Sequence, residues 1–108
     1  MARNFVKSGQ VMDVRASSPI RSGEVVVLGK RLGVALGDIA VNQLGAVQMQ
    51  GVFLLPKNPA DAVSQGDLLY WNASNRQLTS TASGNTLAGY AFAPAAAGSS
   101  SAELCLNG

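Results

Sequence analysis

A chain of 108 residues with net charge +2, of which 47% are hydrophobic and 13% charged, has the length of one β domain spanning 1–108 but well under the roughly one-quarter of charged residues usual in soluble domains. With no histidine and a single cysteine, Cys105, it lacks the commonest general base, the commonest metal ligand, a zinc-ligand spacing and an internal disulfide. So small a net charge argues for no nucleic-acid partner, although residues 1–57 hold seven cations against three anions and residues 58–108 one against three.

From the start, Met1-Ala2-Arg3-Asn4-Phe5 leads into polar residues without an apolar block of signal-peptide type. No stretch approaches the roughly 20 apolar residues of a membrane span. Synthesis in the cytoplasm and no membrane partner are expected. Short apolar runs then recur with glycine or small polar residues between them, and no helical stripe persists beyond two turns, which predicts an all-β fold. The expected strands are 10–15, 24–29, 32–36, 46–54, 67–72, 77–80, 87–92 and 102–106, about eight in all, forming a small barrel or sandwich. Only 59–64 suggests a helical turn, capped by Asn58 before Pro59. Pro19, Pro56, Pro59 and Pro94 are all expected between strands, where a missing N–H costs no ladder bond.

Two stretches repeat a theme: Ser22-Gly23-Glu24-Val25-Val26-Val27-Leu28 and Gln65-Gly66-Asp67-Leu68-Leu69-Tyr70-Trp71. In each, glycine permits a turn with positive φ, the acid suits a strand's partly solvated first position, and four apolar residues predict burial on both faces. The likeness continues in order, Leu32–Leu36 with Leu87–Phe92 and Val47–Gly51 with Leu104–Gly108. Gly66 follows Gly23 by 43 residues, but Gly89 follows Gly33 by 56 and Gly108 follows Gly51 by 57. Two similar halves account for this if the second holds a hairpin-sized insert in Asn72–Asn85; chance likeness among strands rich in Gly, Val and Leu accounts for it too.

Candidate chemistry is sparse, and no catalytic, cofactor-binding or metal-binding residue is expected. The six carboxylates sit singly, mostly at turns. Cys105 lacks the base and electropositive setting of a reactive thiol. Gly23–Lys30 is no phosphate loop: five apolar residues separate its glycines, Arg31 follows Lys30, and the next residues read as strand. Tyr70 and Trp71 must point to opposite faces of a strand, so one ring enters the core, while half-buried packing is the usual fate of the other and an open face for a partner the alternative.

Taken in order, Met1–Val6, Ser22-Gly23-Glu24 with Val26-Val27, Leu32-Gly33-Val34-Ala35, Gly51-Val52-Phe53 with Leu55-Pro56-Lys57, Gly66-Asp67 with Tyr70-Trp71, Gly84–Leu87 with Gly89-Tyr90-Ala91, and Leu104–Gly108 carry a resemblance. The chain resembles the capsid cement, or decoration, proteins of tailed bacteriophages and prophages, sometimes labelled recombinase-like. Cys105 departs from the β-branched residue expected there. The resemblance implies a structural, non-enzymatic virion protein that binds the outer surface of the expanded head and resists its bursting. Its partner would be the major capsid protein and its state a homo-oligomer, preferably a trimer. Residues 1–6 would form a flexible arm, with Arg3, Phe5, Lys7 and Trp71 as contact candidates. A carbohydrate- or peptide-binding β-module is the alternative reading, and a nucleotide-binding recombinase-like protein a further one.

Overall fold

The computed structural model describes residues 9–108, and throughout them the chain is β, with no helix. The strands are β1 (Val11–Arg15), β2 (Val25–Leu28), β3 (Arg31–Ala35), β4 (Leu44–Gln48), β5 (Val52–Pro56), β6 (Leu68–Asn72), β7 (Gln77–Thr79), β8 (Thr86–Ala91) and β9 (Ser101–Leu106). They form one sheet in the order β1-β4-β3-β2 and another in the order β5-β9-β8-β6-β7, antiparallel throughout.

Three expectations need correction. The single strand expected over 46–54 is two, because Gly51, at φ 120°, turns the chain between β4 and β5. The helical turn over 59–64 does not form. Asn58 still caps: its Oδ1 accepts from the Ala60 N–H at 3.0 Å and its carbonyl from the Asp61 N–H at 3.1 Å, but the chain rejoins a bridge at Val63 before a helix can propagate. Pro56 ends β5 instead of lying between strands; β5 is terminal in the strand order, where proline is tolerated.

The two-halves expectation holds in the hydrogen bonds. Gly23 N–H donates to the Ala35 carbonyl at 2.8 Å and Ala35 N–H returns to that of Glu24 at 2.9 Å; Gly66 N–H donates to Ala91 and Ala91 N–H returns to Asp67, both at 2.8 Å. Both glycines have positive φ, 83° and 90°, the left-handed conformation that glycine adopts without cost. The bridge Ile20–Ile39 matches Val63–Ala95. Register matches as well: Val14 faces Gly45 as Leu55 faces Ala102. The order β1-β4-β3-β2 therefore repeats as β5-β9-β8-β6, and β7 is the addition, lying inside the insert that the glycine spacings located. A bulge between Leu69 and Tyr70 adds one further residue on β8, Ala88.

Burial divides the halves. The larger core joins both sheets, with Val25, Leu32 and Val34 from the first and Leu55, Leu69, Trp71, Leu78, Leu104 and Leu106 among those of the second. The opposite face of the four-stranded sheet carries a smaller cluster of Ala16, Ile39, Val47 and Met49, against which Val14, Ile20, Val26 and Leu28 are only partly buried. Burial on both faces of the repeated apolar runs is not complete: Val27 is 41% exposed and Leu68 54%.

What makes the second half tighter is β7. Its Leu78 is fully buried, forms a parallel bridge to Lys57 just beyond β5, and accepts a hydrogen bond from the Asn58 N–H at 2.8 Å. The five-stranded sheet thus closes on itself as a small barrel. Lys57 is buried at that seam, its Nζ donating to the carbonyls of Asn58 and Asp61. In the first half Ala16 takes the place of Lys57, and among the described residues no strand takes that of β7. Asn107 fastens the halves, its Nδ2 donating to the carbonyls of Leu32 and Met49 at 2.8 Å each.

Candidate interaction surfaces

Three of the six carboxylates weighed for catalysis hold backbone groups. Asp38 Oδ1 accepts the Ser22 N–H at 2.8 Å and Asp67 Oδ2 the Ser64 N–H at 2.8 Å, each holding the turn before a repeated strand. Asp61 Oδ2 accepts from Thr79 Oγ1 at 3.0 Å and the Ser80 N–H at 3.1 Å, anchoring β7. Gly23–Lys30 forms β2 and the two-residue turn Gly29-Lys30 into β3, where Leu28 pairs with Arg31; no helix follows to turn amides toward a phosphate. Among the described residues, no three His, Cys, Asp or Glu side chains gather as metal ligands.

Of the contact candidates, Arg3, Phe5 and Lys7 lie outside the described residues. Trp71 lies within the larger core at 3% exposed, with the Arg76 guanidinium 5.9 Å from its ring centroid. The ring therefore offers no open face, and what reaches the surface at this point is Arg76, whose side chain is 54% exposed. Arg76 also donates to the Val25 carbonyl at 3.2 Å, bracing the β6–β7 turn against the first half.

Two features are built for contact. The first is the outer face of the five-stranded sheet. Register sets Val52, Cys105, Tyr90 and Leu68 in one row across β5, β9, β8 and β6. Leu54, opposite Glu103, and Phe92, two residues beyond Tyr90, share that face by strand alternation. Val52, Leu54, Leu68 and Phe92 are 42%, 69%, 54% and 48% exposed, an apolar surface with Glu103 as its one charged neighbour. The corresponding face of the first half, Val25 and Val34, is buried in the core. Within this row the Tyr90 phenol is held above its ordinary pKa, first by its hydrogen bond to Cys105, then by the charge there, then by desolvation. The signal in the sequence was present and read otherwise: apolar residues at both parities of a strand mean either burial on both faces or one face awaiting a partner.

The second feature is a groove of ≈ 310 Å³ between the free edges β1 and β2, lined among others by Val14, Ala16, Ile20, Val26, Leu28 and Arg76. The first five of these positions match Leu55, Lys57, Val63, Leu69 and Trp71 of the closed barrel, of which Lys57 bridges Leu78 and the others share its core cluster.

A comparison with protein families adds the deciding observation, since the model of the phage cement protein family matches residues 6–106, both halves and the insert together. The chain belongs to the phage cement protein family. Comparisons with curated proteins and with solved structures gave no match. As a cement protein the molecule has a structural role in the phage capsid and associates with it in the virion.

Proposed function

We propose that this cement protein binds the outer surface of the expanded phage head and stabilises it, seated on a local symmetry axis as a small homo-oligomer, for which a trimer is the preferred state. It is made in the host cytoplasm, joins the major capsid protein after expansion, and carries out no chemistry.

The observation that carries the reading is the outer face of the second half, where Val52, Leu54, Leu68 and Phe92 stand exposed on a chain with only 13% charged residues. Desolvating such a surface against an assembled lattice contributes about 25 cal/mol per Å² of apolar area removed from water. Repetition over many identical sites makes modest contacts effective. The segment holding Arg3, Phe5 and Lys7 supplies further contacts within the assembled lattice. Burial of the Trp71 ring weighs against a sugar-binding module, which needs an open aromatic platform.

The test is a binding isotherm on expanded heads that lack the protein. Saturable binding is expected, and the double substitution Leu54→Asp with Phe92→Asp is expected to weaken it at least tenfold while leaving the melting temperature of the free protein nearly unchanged. Unaltered binding would remove this face from the reading. Saturable nucleotide hydrolysis stimulated by single-stranded DNA would replace the structural reading with the recombinase-like one.

A further inference from the structure

We propose that the open groove between β1 and β2 receives residues Arg3–Val6 of a second copy as an added strand, completing the first half as β7 completes the second. The proposal concerns contacts between copies and goes beyond binding to the head.

Its basis is the internal repeat. Four residues of the core cluster that holds Leu78 have counterparts in the groove: Val14 for Leu55, Ile20 for Val63, Val26 for Leu69 and Leu28 for Trp71. In the second half these are sealed by Leu78, which is fully buried; in the first half the same positions are only partly buried, and no described residue takes the place of Leu78. The edge is chemically ready as well. The Val25 carbonyl points out of the sheet to Arg76, and strand alternation puts the N–H and C=O of Val27 on that same side, where β2 has no neighbouring strand among the described residues.

The occupant is named by the strand that fills the equivalent site. That strand is entered as Arg76-Gln77-Leu78-Thr79: arginine, side-chain amide, large apolar, β-branched. Outside the described residues the chain has the same series in Arg3-Asn4-Phe5-Val6. Register transfers directly. Tyr70, Trp71 and Asn72 pair with Thr79, Leu78 and Gln77, so Val27, Leu28 and Gly29 would pair with Val6, Phe5 and Asn4, placing the Phe5 ring among Val14, Ile20 and Leu28.

Chain length decides that the donor is another copy. β7 runs parallel to β5 beside Lys57, so the added strand must run parallel to β1 beside Ala16, at the end of β1 remote from Val11. The five residue steps from Val6 to Val11 span about 18 Å at full extension, whereas the return along β1 from beyond Ala16 is about 20 Å, with nothing left for the reversal. A neighbour's segment has no such limit. A head-to-tail donation of this kind closes into a ring when its rotation permits.

Disulfide trapping tests this on the full-length protein with Cys105→Ser. Phe5→Cys and Leu28→Cys chains, purified separately and mixed under mild oxidation, are expected to give a mixed disulfide at least tenfold faster than Phe5→Cys mixed with Ser83→Cys, a position exposed on the β7–β8 connection. Equal rates overturn the proposal. The chain bearing both cysteines is expected to form interchain products; an intrachain disulfide in monomers overturns donation between copies. Deletion of residues 2–6, which leaves the groove intact, is expected to turn the oligomer into monomers by sedimentation. If it abolishes head binding while the free oligomer survives, the segment's partner is the head and the proposal is wrong.

Discussion

At Gly89 the demands on a single residue are most explicit. Its φ is 148°, and a Cβ there would collide with the carbonyl oxygen of Cys105 across the ladder. Its counterpart Gly33 lacks the positive φ, and a Cβ there would meet side-chain instead of backbone atoms first, the nearest on the buried Val47. Gly89→Ala is therefore expected to cost about 3 kcal/mol and Gly33→Ala about half as much, read from denaturant melts. Lys57→Ala should cost about 2–4 kcal/mol, since it opens a cavity at the barrel seam and removes the donor shared by the part-buried carbonyls of Asn58 and Asp61. Tyr90 provides a pH signature. Its raised pKa means the folded state holds the phenolic proton longer than the unfolded chain does. That contribution to stability is present below about pH 10 and lost as pH rises through the folded value. Cys105→Val removes the first two causes of the shift, and ultraviolet titration should then find the phenol closer to its ordinary value.

Strand by strand, the sequence was most legible where backbone chemistry repeats itself. Gly23-Glu24 and Gly66-Asp67 each start a strand in the same way because only glycine takes the turn conformation cheaply. The jump in spacing placed the insert that became β7. Less legible was 46–54, a continuous apolar and alternating run whose one break signal, Gly51, also fits a strand interior. Equally hidden was the exposure of Leu54 and Leu68, because periodicity reports which side chains share a face and is silent on what covers it. Nor does pattern alone tell that Gln77–Thr79 closes one barrel while the matching edge stays open, since closure depends on Lys57 and Leu78, 21 residues apart. The asymmetry has a measurable consequence. Leu78→Ala should cost the free protein about 3 kcal/mol, the usual loss for a fully buried leucine, and Val26→Ala, in the partly exposed mirror cluster, about 1 kcal/mol. Equal losses would mean that the first half is sealed even without a partner.

Across the whole molecule, the two halves divide labour. Among the described residues, the first half turns one face inward to the shared core and leaves the other as an open groove, and the second is a closed barrel whose outer face is apolar and uncovered. No reacting group is required by this plan, and the sparse charge leaves contact surface free of the desolvation cost that paired ions carry. For a member of the phage cement protein family, the physical claim is that covered area, repeated over a lattice, raises the resistance of the shell to internal pressure. The most direct test is the temperature at which DNA-filled heads release their DNA, measured as the protein is added to heads that lack it. A rise that saturates with site occupancy is the predicted result; heads that bind the protein fully yet burst at an unchanged temperature would contradict it.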